Sequence, residues 1–345
     1  MSEQTKIAWC DSTINFWTIC TEASLGCANC YAKELAKRFG WGGGKWGKGV
    51  VRHKFTNAVA QAHSLNRKPW ICDECGEAYA ETTVDHCAAC DTQTTFHRRR
   101  IFSLSLGDWL DDEVPIDWLA EMLDTIRQCD QVTWILCTKR PENWRKRMDE
   151  ILHWQMATGD GQHDESFFEW VETWTDCLDM PERGDFPQNI ILLASVENQP
   201  AADKRIPELL KIPAACYGLS LEPLLDKVKL HDALQIWEHE GRPCCVGKTG
   251  WHKLGEGMPS APKPKIDWLI IGGESGNNAR PCDVDWIRSL VQQGQAAGVA
   301  TFVKQMGQWL ADGMRRCGHD VKDKKGGDPA EWPADLRVQE WPKGF

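Results

Sequence analysis

Residues 101–140, IFSLSLGDWLDDEVPIDWLAEMLDTIRQCDQVTWILCTKR, decide the fold class. An apolar run at 101–106 is followed by a helix-like stretch at 115–129 and by a β-branched and aromatic run at 132–137. A strand, a helix and another strand in this order are typical of a crossover between parallel strands. The segment therefore predicts one βαβ unit of a mainly parallel sheet or barrel.

The same alternation extends over most of the chain. Strands are predicted at 14–19, 101–106, 132–137, 190–195, 214–220, 267–271 and 301–304, and helices at 31–39, 115–129, 141–154, 201–211 and 284–298. Six or seven such repeats are too few for a complete eightfold barrel. The sequence therefore predicts an α/β fold with a partial (β/α)6-type barrel of parallel strands.

Three stretches interrupt this alternation, at 66–98, 155–188 and 240–265. We interpret them as insertions on a common scaffold, because the strand and helix pattern resumes after each one. The barrel then comprises 1–65 and 99–345, with insertions at about 155–188 and 240–265. Residues 66–98 are predicted to form a small inserted zinc-binding subdomain.

The composition is that of an ordinary globular protein, with 42% hydrophobic and 26% charged residues among 345. No apolar run reaches the roughly 18 residues of a membrane-spanning helix, so no contact with a membrane is expected. The first residues, MSEQTKIAWC, contain no apolar signal region, and a cytoplasmic location is expected. In that compartment sixteen cysteines would stay reduced, which favours metal binding over disulfides.

Three of these cysteines, Cys20, Cys27 and Cys30, lie on one short loop in the order C-x6-C-x2-C. Thiolates are preferred ligands of iron–sulfur clusters and of zinc. A [4Fe–4S] cube normally has four cysteine ligands, so three would leave one iron open for chemistry. From spacing alone, a zinc site with a distant fourth ligand and three unrelated core thiols are alternatives.

A second set, Cys72, Cys75, Cys87 and Cys90, has the spacing C-x2-C-x11-C-x2-C. Two such pairs are typical of a tetrahedral structural zinc site, and the apolar-poor segment around them needs a metal to fold. A second iron–sulfur cluster is the alternative. His86 and His97 are nearby substitutes, but four thiolates already complete the coordination shell.

Polar residues and glycines follow successive predicted strands. They are Gly107 and Asp108; Thr138, Lys139 and Arg140; Ser195, Glu197 and Asn198; Glu222; Gly272, Gly273, Glu274 and Ser275; and Lys304 and Gln305. The carboxyl ends of parallel strands form the edge at which such folds place their active sites. The repetition at several strand ends therefore predicts a functional site along this edge.

Charge is distributed unevenly over the chain. The net charge of −10 argues against non-specific binding of nucleic acid by the whole surface. Residues 33–68, however, contain nine lysines or arginines and a single acid, and three arginines follow at 98–100. A local basic face of this kind fits a phosphate-bearing substrate, and a solvated surface is the alternative.

Several fragments together resemble one family. They are KIAWCDSTINFWTIC and GCANCYA near the start, followed by FSLSLGDWLDD, LCTKRPENW, ASVENQ, ADKRIPELL, LSLEPLL, IDWLIIGGESGNNARP and FVKQMGQW. They resemble the phage-encoded three-cysteine-motif proteins, a radical-SAM-like family of bacteriophages and prophages. The resemblance covers nearly the whole chain outside the three insertions. The chain departs from the family pattern in its zinc-like insertion and in Cys137 before the TKRP segment.

The resemblance implies that Cys20, Cys27 and Cys30 hold a [4Fe–4S] cube. In radical-SAM enzymes the amine and carboxylate of S-adenosylmethionine bind the fourth iron, and one electron then generates a 5′-deoxyadenosyl radical. The common spacing in that superfamily is C-x3-C-x2-C, and the longer first gap here is a departure from it. The cofactor supplies the radical chemistry, and the protein supplies orientation, electrostatics and exclusion of water.

The resemblance also implies roles for residues at the strand ends. Tyr31 would pack against the cluster or the adenine, and Ser105, Gly107 and Asp108 would meet the methionine amine. Lys139 or Arg140 would bind the methionine carboxylate or a substrate phosphate.

Further along the sheet, Ser195, Glu197 and Asn198 would bind the ribose hydroxyls. Gly272 and Gly273 would let the backbone approach a ligand, with Glu274 binding a polar group. Glu222 and Lys304 would face the substrate as the catalytic pair, together with Gln305.

A phage origin suggests a substrate in DNA, since phages modify their own bases. One such reaction is the isomerisation of a hypermodified thymine, which would have to flip out of the duplex. Phage DNA would bind the basic face, and a flavodoxin or ferredoxin of the infected bacterial host would donate the electron. The alternatives are a non-catalytic iron–sulfur or zinc protein that binds nucleic acid, and a radical enzyme acting on a free nucleotide or small metabolite.

Overall fold

The computed structural model describes residues 5–81, 86–158, 163–176, 186–234, 244–247, 250–253, 265–276 and 278–345. Its strands are β1 Ser12–Ile14, β2 Trp17–Thr18, β3 His53–Lys54, β4 Trp70–Cys72, β5 Ala78–Tyr79, β6 His86–Cys87, β7 Thr92–Gln93, β8 Phe96–Arg98, β9 Arg100–Ser103, β10 Thr133–Thr138, β11 Ile190–Ser195, β12 Cys216–Leu221, β13 Cys244–Gly247, β14 Gly250–Lys253, β15 Trp268–Gly272 and β16 Ala300–Gln305. Its helices are α1 Tyr31–Phe39, α2 Ala58–Asn66, α3 Ile116–Gln128, α4 Trp144–Thr158, α5 Glu165–Asp176, α6 Gln199–Leu209, α7 His231–Leu234, α8 Val284–Ala296 and α9 Gln308–Arg316.

Seven strands form one parallel sheet in the order β1-β9-β10-β11-β12-β15-β16. Every neighbouring pair in this sheet is parallel, and the sheet is curled into a half-barrel. The strands follow one another in chain order, so the connections run in one direction around the curl. The prediction of a mixed α/β fold with parallel strands is confirmed.

The sheet is buried on both faces, which explains the continuous apolar runs of its strands. Along β10, Trp134 and Leu136 pack with the helices, whereas Ile135 between them belongs to a separate cluster on the opposite face. That second cluster lies on the face without helices, and Trp9 and Trp268 are two of its members. The Trp341 indole N–H donates to the Trp9 carbonyl at 3.2 Å and so closes this face.

Helix α3 shows why the opening segment determines the fold. Its buried residues, Leu119, Met122, Leu123 and Ile126, recur at three- and four-residue spacing and face the sheet. The helix connects β9 to its parallel neighbour β10. The βαβ unit predicted from this segment is therefore present.

The first predicted strand, at 14–19, is wrong in its extent. Strand β1 ends at Ile14, and after a break β2 pairs antiparallel with β3 outside the main sheet. The reason lies in Asn15, whose side-chain oxygen accepts a hydrogen bond from the Leu106 N–H at 2.8 Å. The chain turns there instead of continuing in the sheet. The helix predicted at 141–154 begins with a single turn at Pro141–Asn143 and continues as α4.

The three predicted insertions differ in structure. The one at 66–98, described except for 82–85, contains β4, β5 and β8 as an antiparallel sheet and β6 and β7 as a hairpin. Helix α5 in the 155–188 stretch buries Phe167, Phe168 and Trp174 in the main core. Of the 240–265 stretch, β13 and β14 are described, and 240–243, 248–249 and 254–264 lie outside the described residues.

No helix within the described ranges has both the length and the apolar composition that crossing a membrane would require.

Candidate functional site

The four cysteines of the insertion converge on one point. The Sγ atoms of Cys72 and Cys90 are 3.9 Å apart, and those of Cys75 and Cys87 are 3.6 Å apart. All four sulfur atoms lie within 4.8 Å of one another. Four Zn–S bonds of about 2.3 Å in a tetrahedron would separate the sulfurs by about 3.8 Å, which matches both pairs. The cluster could hold one metal ion.

Two tight turns bring the cysteines together. The Gly76 N–H donates to the Cys72 carbonyl at 3.0 Å, and the Asp91 N–H donates to the Cys87 carbonyl at 2.9 Å. Gly76 and Asp91 both have a positive φ, 73° and 54°, which reverses the chain just after each cysteine pair. The metal-ligand geometry is thus built by the local sequence of the insertion.

One cysteine of this cluster is set up as a thiolate. The Tyr79 hydroxyl lies 3.1 Å from Cys87 Sγ. This hydrogen bond, aided by backbone N–H groups, lowers the pKa of Cys87 to about 6. The two candidate histidines are occupied elsewhere. His86 lies against Asp91 at 3.2 Å, and His97 bridges Asp73 and Asp11.

The other cysteines lie on the segment 20–30, which we call the cysteine loop. Cys27 is buried, and Cys20 and Cys30 are half-buried. Burial raises the pKa of Cys20 and of Cys30. Among the described residues, the four cysteines of the insertion form a group whose sulfur atoms could share one ion. Cys20, Cys27 and Cys30 do not form such a group. The cysteine loop is therefore not arranged for one ion, whereas a cluster needs each thiolate at a different iron.

Hydrogen bonds tie the start of the cysteine loop to residues that follow β9 and β10. The Thr21 N–H donates to Asp111 at 2.5 Å, and the buried Arg52 guanidinium donates to the same carboxylate at 2.8 Å. From the end of β10, Arg140 donates to the Thr21 carbonyl. The loop therefore lies across the carboxyl edge of the sheet.

The far end of the loop is tied to the residues after β15. Asn29 donates to Glu274 at 3.0 Å, and Arg280 donates to the Leu25 carbonyl at 2.8 Å. Arg280 also pairs with Glu274 at 2.5 Å. Burial alone would raise the pKa of Glu274, but hydrogen bonds from Arg280 and Asn29 lower it overall. Glu274 is thus an anionic anchor of the loop.

Asp108 is occupied by the protein's own donors. It accepts hydrogen bonds from the Thr138 hydroxyl at 2.7 Å, the Lys139 N–H at 2.9 Å and the Arg140 guanidinium at 2.8 Å. The carboxylate is buried, so these bonds compensate its loss of water. Its present contacts hold the turn after β10 and so position Lys139 and Arg140.

Lys139 carries a positive charge next to the cysteines. Its ammonium group donates to the Ser195 hydroxyl at 2.8 Å. Burial alone would lower the pKa of Lys139, but the nearby groups of Cys137, Cys27 and Glu197 raise it overall. A buried cation therefore faces the cysteine loop from the end of β10.

Glu197 and Asn198 both serve contacts within the protein. Glu197 pairs with Arg205 at 2.7 Å, and a Cβ on Gly26 of the cysteine loop would lie 3.2 Å from the Glu197 carboxyl carbon. Burial alone would raise the pKa of Glu197, but the Ser24 hydroxyl beside it and Arg205 lower it overall. Asn198 caps α6 by accepting from the Ala201 N–H at 3.0 Å.

The predicted catalytic pair is assembled. Lys304 at the end of β16 pairs with Glu222 at 2.5 Å, just after β12. Gln305 donates to the same carboxylate at 3.3 Å and to the Gly273 carbonyl at 2.7 Å. Two consecutive residues of β16 thus meet a carboxylate from the end of β12 at the sheet edge.

The glycines have a packing role that the sequence analysis did not foresee. A Cβ on Gly273 would lie 2.4 Å from the Met306 carbonyl oxygen, and one on Gly272 would lie 3.3 Å from Gln305. The neighbouring strand end therefore fills the space that was expected to admit a ligand. A Cβ added to Gly107 would lie 3.5 Å from the Trp17 indole nitrogen.

Tyr31 begins α1 directly after Cys30, and its hydroxyl donates to the Ser105 carbonyl. The Ser105 hydroxyl is engaged separately, because the Asn15 amide donates to it at 3.1 Å. The pKa of Tyr31 is raised, first by desolvation of its hydroxyl and further by the nearby charges of Cys30 and Glu222. Tyr31 therefore ties the start of α1, directly after the cysteine loop, to the chain after β9.

An open cleft of about 490 Å³ adjoins the cysteine loop. Its walls are Ala23, Ser24 and Leu25 of the loop; Asp112; Lys139, Arg140, Glu142 and Asn143 after β10; and Glu197, Asn198, Pro200, Ala201, Lys204 and Arg205 after β11. Four cations and three acids line it. The cleft is polar and of a size suited to a charged small molecule.

The expected basic face is smaller than the sequence suggests. Arg99 and Arg100 are only 5% and 7% exposed, so the arginine run at 98–100 is not a surface patch. Arg100 pairs with Asp11 at 3.3 Å, and Arg52 is buried against Asp111. The charge pattern alone did not indicate that Arg52, Arg99 and Arg100 are buried within the protein.

Several site residues were missed in the sequence analysis. Asp111, Arg205 and Arg280 hold the cysteine loop or its neighbours, and Asn29 joins them. All four lie within fragments that carried the resemblance, and this is the signal that could have indicated them: GCANCYA contains Asn29, FSLSLGDWLDD contains Asp111, ADKRIPELL contains Arg205 and GGESGNNARP contains Arg280. The partners are far apart in sequence, and no local pattern indicates such pairs.

Comparison with known proteins places the chain in a family. The sequence model of the family described as "Protein of unknown function (DUF5131)" matches residues 4–331. No curated protein matches the chain, and no solved structure matches it. The family match spans the whole parallel sheet, the cysteine loop and the four-cysteine insertion. The chain therefore belongs to the DUF5131 family.

Proposed function

We propose that this protein is a radical S-adenosylmethionine enzyme, built on a partial (β/α)6-type barrel, with a [4Fe–4S] cluster on Cys20, Cys27 and Cys30. One observation carries the proposal. The three thiols lie on a single loop that is tied across the carboxyl edge of a parallel sheet, where such folds bind cofactors.

The donor set fits the cluster. Three soft thiolates suit iron–sulfur chemistry. The pKa of Lys139 is raised against burial by Cys137 and Cys27, and that of Arg280 is raised mainly by its hydrogen bond to Glu274, with a smaller contribution from Cys27. Arg140 stands in the same relation to Cys20. Such cations would stabilise anionic thiolates, as they do at other reactive cysteines.

When bound and reduced, the cluster would supply a 5′-deoxyadenosyl radical from S-adenosylmethionine. The chain's own residues would bind and orient. Lys139, whose ammonium is already fixed by Ser195, would meet the methionine carboxylate from the cleft. Glu197 and Asn198 line the same cleft and Ser195 contacts Lys139 beside it, so these three would meet the ribose hydroxyls.

The Glu222–Lys304 pair would act on the substrate. The carboxylate is held by Lys304 at 2.5 Å and by Gln305 at 3.3 Å, so its position is fixed before any ligand arrives. A carboxylate held in this way can accept a proton and return it. Tyr31 would pack between this pair and the cluster.

For the substrate we propose a base in phage DNA, a hypermodified thymine undergoing isomerisation in the cytoplasm of an infected bacterium. Support comes from the exposed cations of the 33–68 segment, which are suited to phosphate contacts. The base would leave the duplex to reach a buried site. A host flavodoxin or ferredoxin would donate the electron.

For the four-cysteine cluster we propose a structural zinc ion. The sulfur separations of 3.6 and 3.9 Å agree with a tetrahedron of Zn–S bonds, whereas an iron–sulfur cube would hold its ligands further apart. The thiolate character of Cys87 also favours binding of a metal ion.

The test is anaerobic reconstitution with iron and sulfide, followed by reduction in the presence of S-adenosylmethionine. We expect a brown protein that forms 5′-deoxyadenosine. Cys27→Ala should abolish this product while the zinc content stays at one ion per chain. Cys317→Ala is the matched control, because Cys317 is an exposed cysteine away from both sites.

The same experiment separates the alternatives. A non-catalytic nucleic-acid-binding protein would form no 5′-deoxyadenosine under any condition. A radical enzyme for a free nucleotide would form it and turn over without polymer, and its activity would not depend on salt in the way DNA binding does. Zinc as the sole metal after reconstitution would refute the proposed cluster.

A further inference from the structure

Four aromatic rings form a compact cluster beyond the end of α1. Trp41 stacks with Phe39 at a centroid distance of 5.0 Å and with His53 at 5.7 Å. The interplanar angles of these two pairs are 26° and 17°. Phe55 meets both Trp41 and His53 edge-on at 5.2 Å. We call Phe39, Trp41, His53 and Phe55 the aromatic platform.

The platform is not an ordinary piece of hydrophobic core. Phe39 is 56% exposed, and Trp41, His53 and Phe55 are half-buried. The large apolar side chains that are exposed in the described ranges are Leu25, Tyr31, Phe39, Val51, Met156 and Trp309. Four of these six fall between residues 25 and 51, beside the cysteine loop and the platform. Concentrated exposure of this kind marks a binding surface.

Free positive charge surrounds the platform. Lys37, Arg38, Lys45 and Lys48 are exposed, and no acidic side chain in the described part of the chain pairs with them. The Arg38 guanidinium lies 5.5 Å from the centre of the Phe39 ring. Within the same segment Lys54 pairs with Glu121 and Lys33 with Glu22, whereas Arg67 and Lys68 are exposed after α2. Four of the six exposed cations of residues 33–68 therefore lie between residues 37 and 48, close in sequence to Phe39 and Trp41, on a chain whose net charge is −10.

The platform lies at a fixed distance from the cysteine loop. Helix α1 begins right after Cys30 and ends at Phe39, and its nine residues span about 13 Å at 1.5 Å per residue. The glycine loop after it packs back on the helix, because a Cβ on Gly44 would lie 3.9 Å from the Lys37 backbone. The platform and the candidate active site are therefore joined by one rigid element.

We infer that the aromatic platform binds single-stranded nucleic acid, with bases stacked on its rings and phosphates contacting Lys37, Arg38, Lys45 and Lys48. Stacking on aromatic side chains beside cations is how proteins hold single strands, and it needs base faces that a duplex hides. An acidic protein partner would satisfy the cations but would leave the stacked rings without a role. The inference rests on the proposed function only for the reaction that the bound strand would undergo.

The test measures binding and needs no catalysis. Fluorescence anisotropy of a labelled oligothymidine is recorded with the full-length, metal-loaded protein, without reductant or S-adenosylmethionine. Phe39→Ala and Trp41→Ala should each weaken binding by about fivefold to a hundredfold, which is the usual contribution of one stacked base. Trp41→Phe should restore most of the affinity, which excludes local misfolding as the cause. Trp309→Ala, another exposed aromatic, is the control with unchanged binding.

Two further measurements complete the test. Lys45→Gln with Lys48→Gln should reduce the dependence of binding on salt, because fewer counterions are released. A duplex of the same sequence should compete poorly with the single strand.

The inference would be overturned by wild-type affinity in both Phe39→Ala and Trp41→Ala. Equal binding of duplex and single strand, or binding of an acidic flavodoxin in place of the oligonucleotide, would also overturn it. Formation of 5′-deoxyadenosine without nucleic acid tests the proposed function separately, so the two failures are distinguishable.

Discussion

The two cysteine sites of this protein are built in opposite ways. In the insertion, two short turns bring four sulfurs to within 4.8 Å of one another. The cysteine loop also contains a short 3-10 turn at Leu25–Cys27, but it is held in place by Asp111, Arg140, Glu274 and Arg280 from distant parts of the chain. A site that depends on local sequence suits a structural role. A site that depends on the whole sheet can be positioned for chemistry.

The strongest test of this comparison is to disrupt one cysteine site and measure the effect on the other. Cys87→Ala removes one of four ligands, so we expect loss of zinc and of ordered structure in the insertion, since zinc supplies most of the folding free energy of such segments. The cluster and the formation of 5′-deoxyadenosine should survive. Metal analysis and product assay measure both outcomes. Loss of 5′-deoxyadenosine together with zinc would show that the two sites are not independent.

Glu222→Gln should lower turnover of the substrate and leave the zinc and iron content unchanged. Removing a positioned base typically lowers turnover by about a hundredfold to ten-thousandfold. Zinc and iron content should be unchanged, because Glu222 contacts Lys304 and Gln305 and no cysteine. Turnover of the substrate is compared with that of Glu208→Gln, a surface acid paired with Lys211. Full activity of Glu222→Gln would remove this pair from the mechanism.

Asp108→Asn tests how strongly the cysteine loop depends on the sheet. The substitution leaves the buried Arg140 without its carboxylate partner, and we expect the free energy of unfolding to fall by about 3 kcal/mol. Asp112→Asn is the control, because Asp112 pairs with Lys146 in solvent and should cost below about 1 kcal/mol. Urea unfolding measures both. Equal losses would show that the Asp108 network is not a support of the loop.

The smallest expected effect concerns the link between insertion and sheet. Burial alone would raise the pKa of Asp11, but His97 and Arg100 lower it overall to about 2. A lowered pKa in the folded state stabilises the protein above the ordinary pKa near 4, and this stabilisation is lost as the pH falls towards 2.

Asp11→Asn should therefore lower the unfolding free energy by about 1–2 kcal/mol at pH 7 and by progressively less below about pH 4. Taking the difference between variant and native protein at each pH removes effects common to both, such as loss of zinc. A difference independent of pH would contradict the charged bridge through His97.

Features that depend on local sequence were predictable, whereas features that depend on contacts between distant residues were not. Strands such as β10 and β11 agree closely with prediction because buried parallel strands are continuous apolar runs. The four-cysteine cluster is likewise encoded by spacing. The break after Ile14 escaped prediction because it depends on Asn15 bonding to Leu106, far along the chain.

The candidate site was predictable only in outline. Strand-end positions identified Lys139, Glu222 and Lys304, because topology alone brings such positions to one edge. Their partners could not be read from the sequence, since Asn29 and Glu274 are 245 residues apart. The burial of Arg99 could not be predicted either, because the sequence of a run of arginines does not distinguish a solvated run from a buried one.

The contact between Trp341 and Trp9 has a consequence for how anything reaches the reaction centre. These indoles, with Trp268 and Phe302, fill the hollow of the curled sheet from beneath. One end of the half-barrel is therefore closed by packed side chains, and the half-barrel is not a channel open at both ends. In the proposed reaction, cofactor, electron donor and substrate would therefore share the opposite rim, and the order in which they arrive would be constrained by space as much as by affinity.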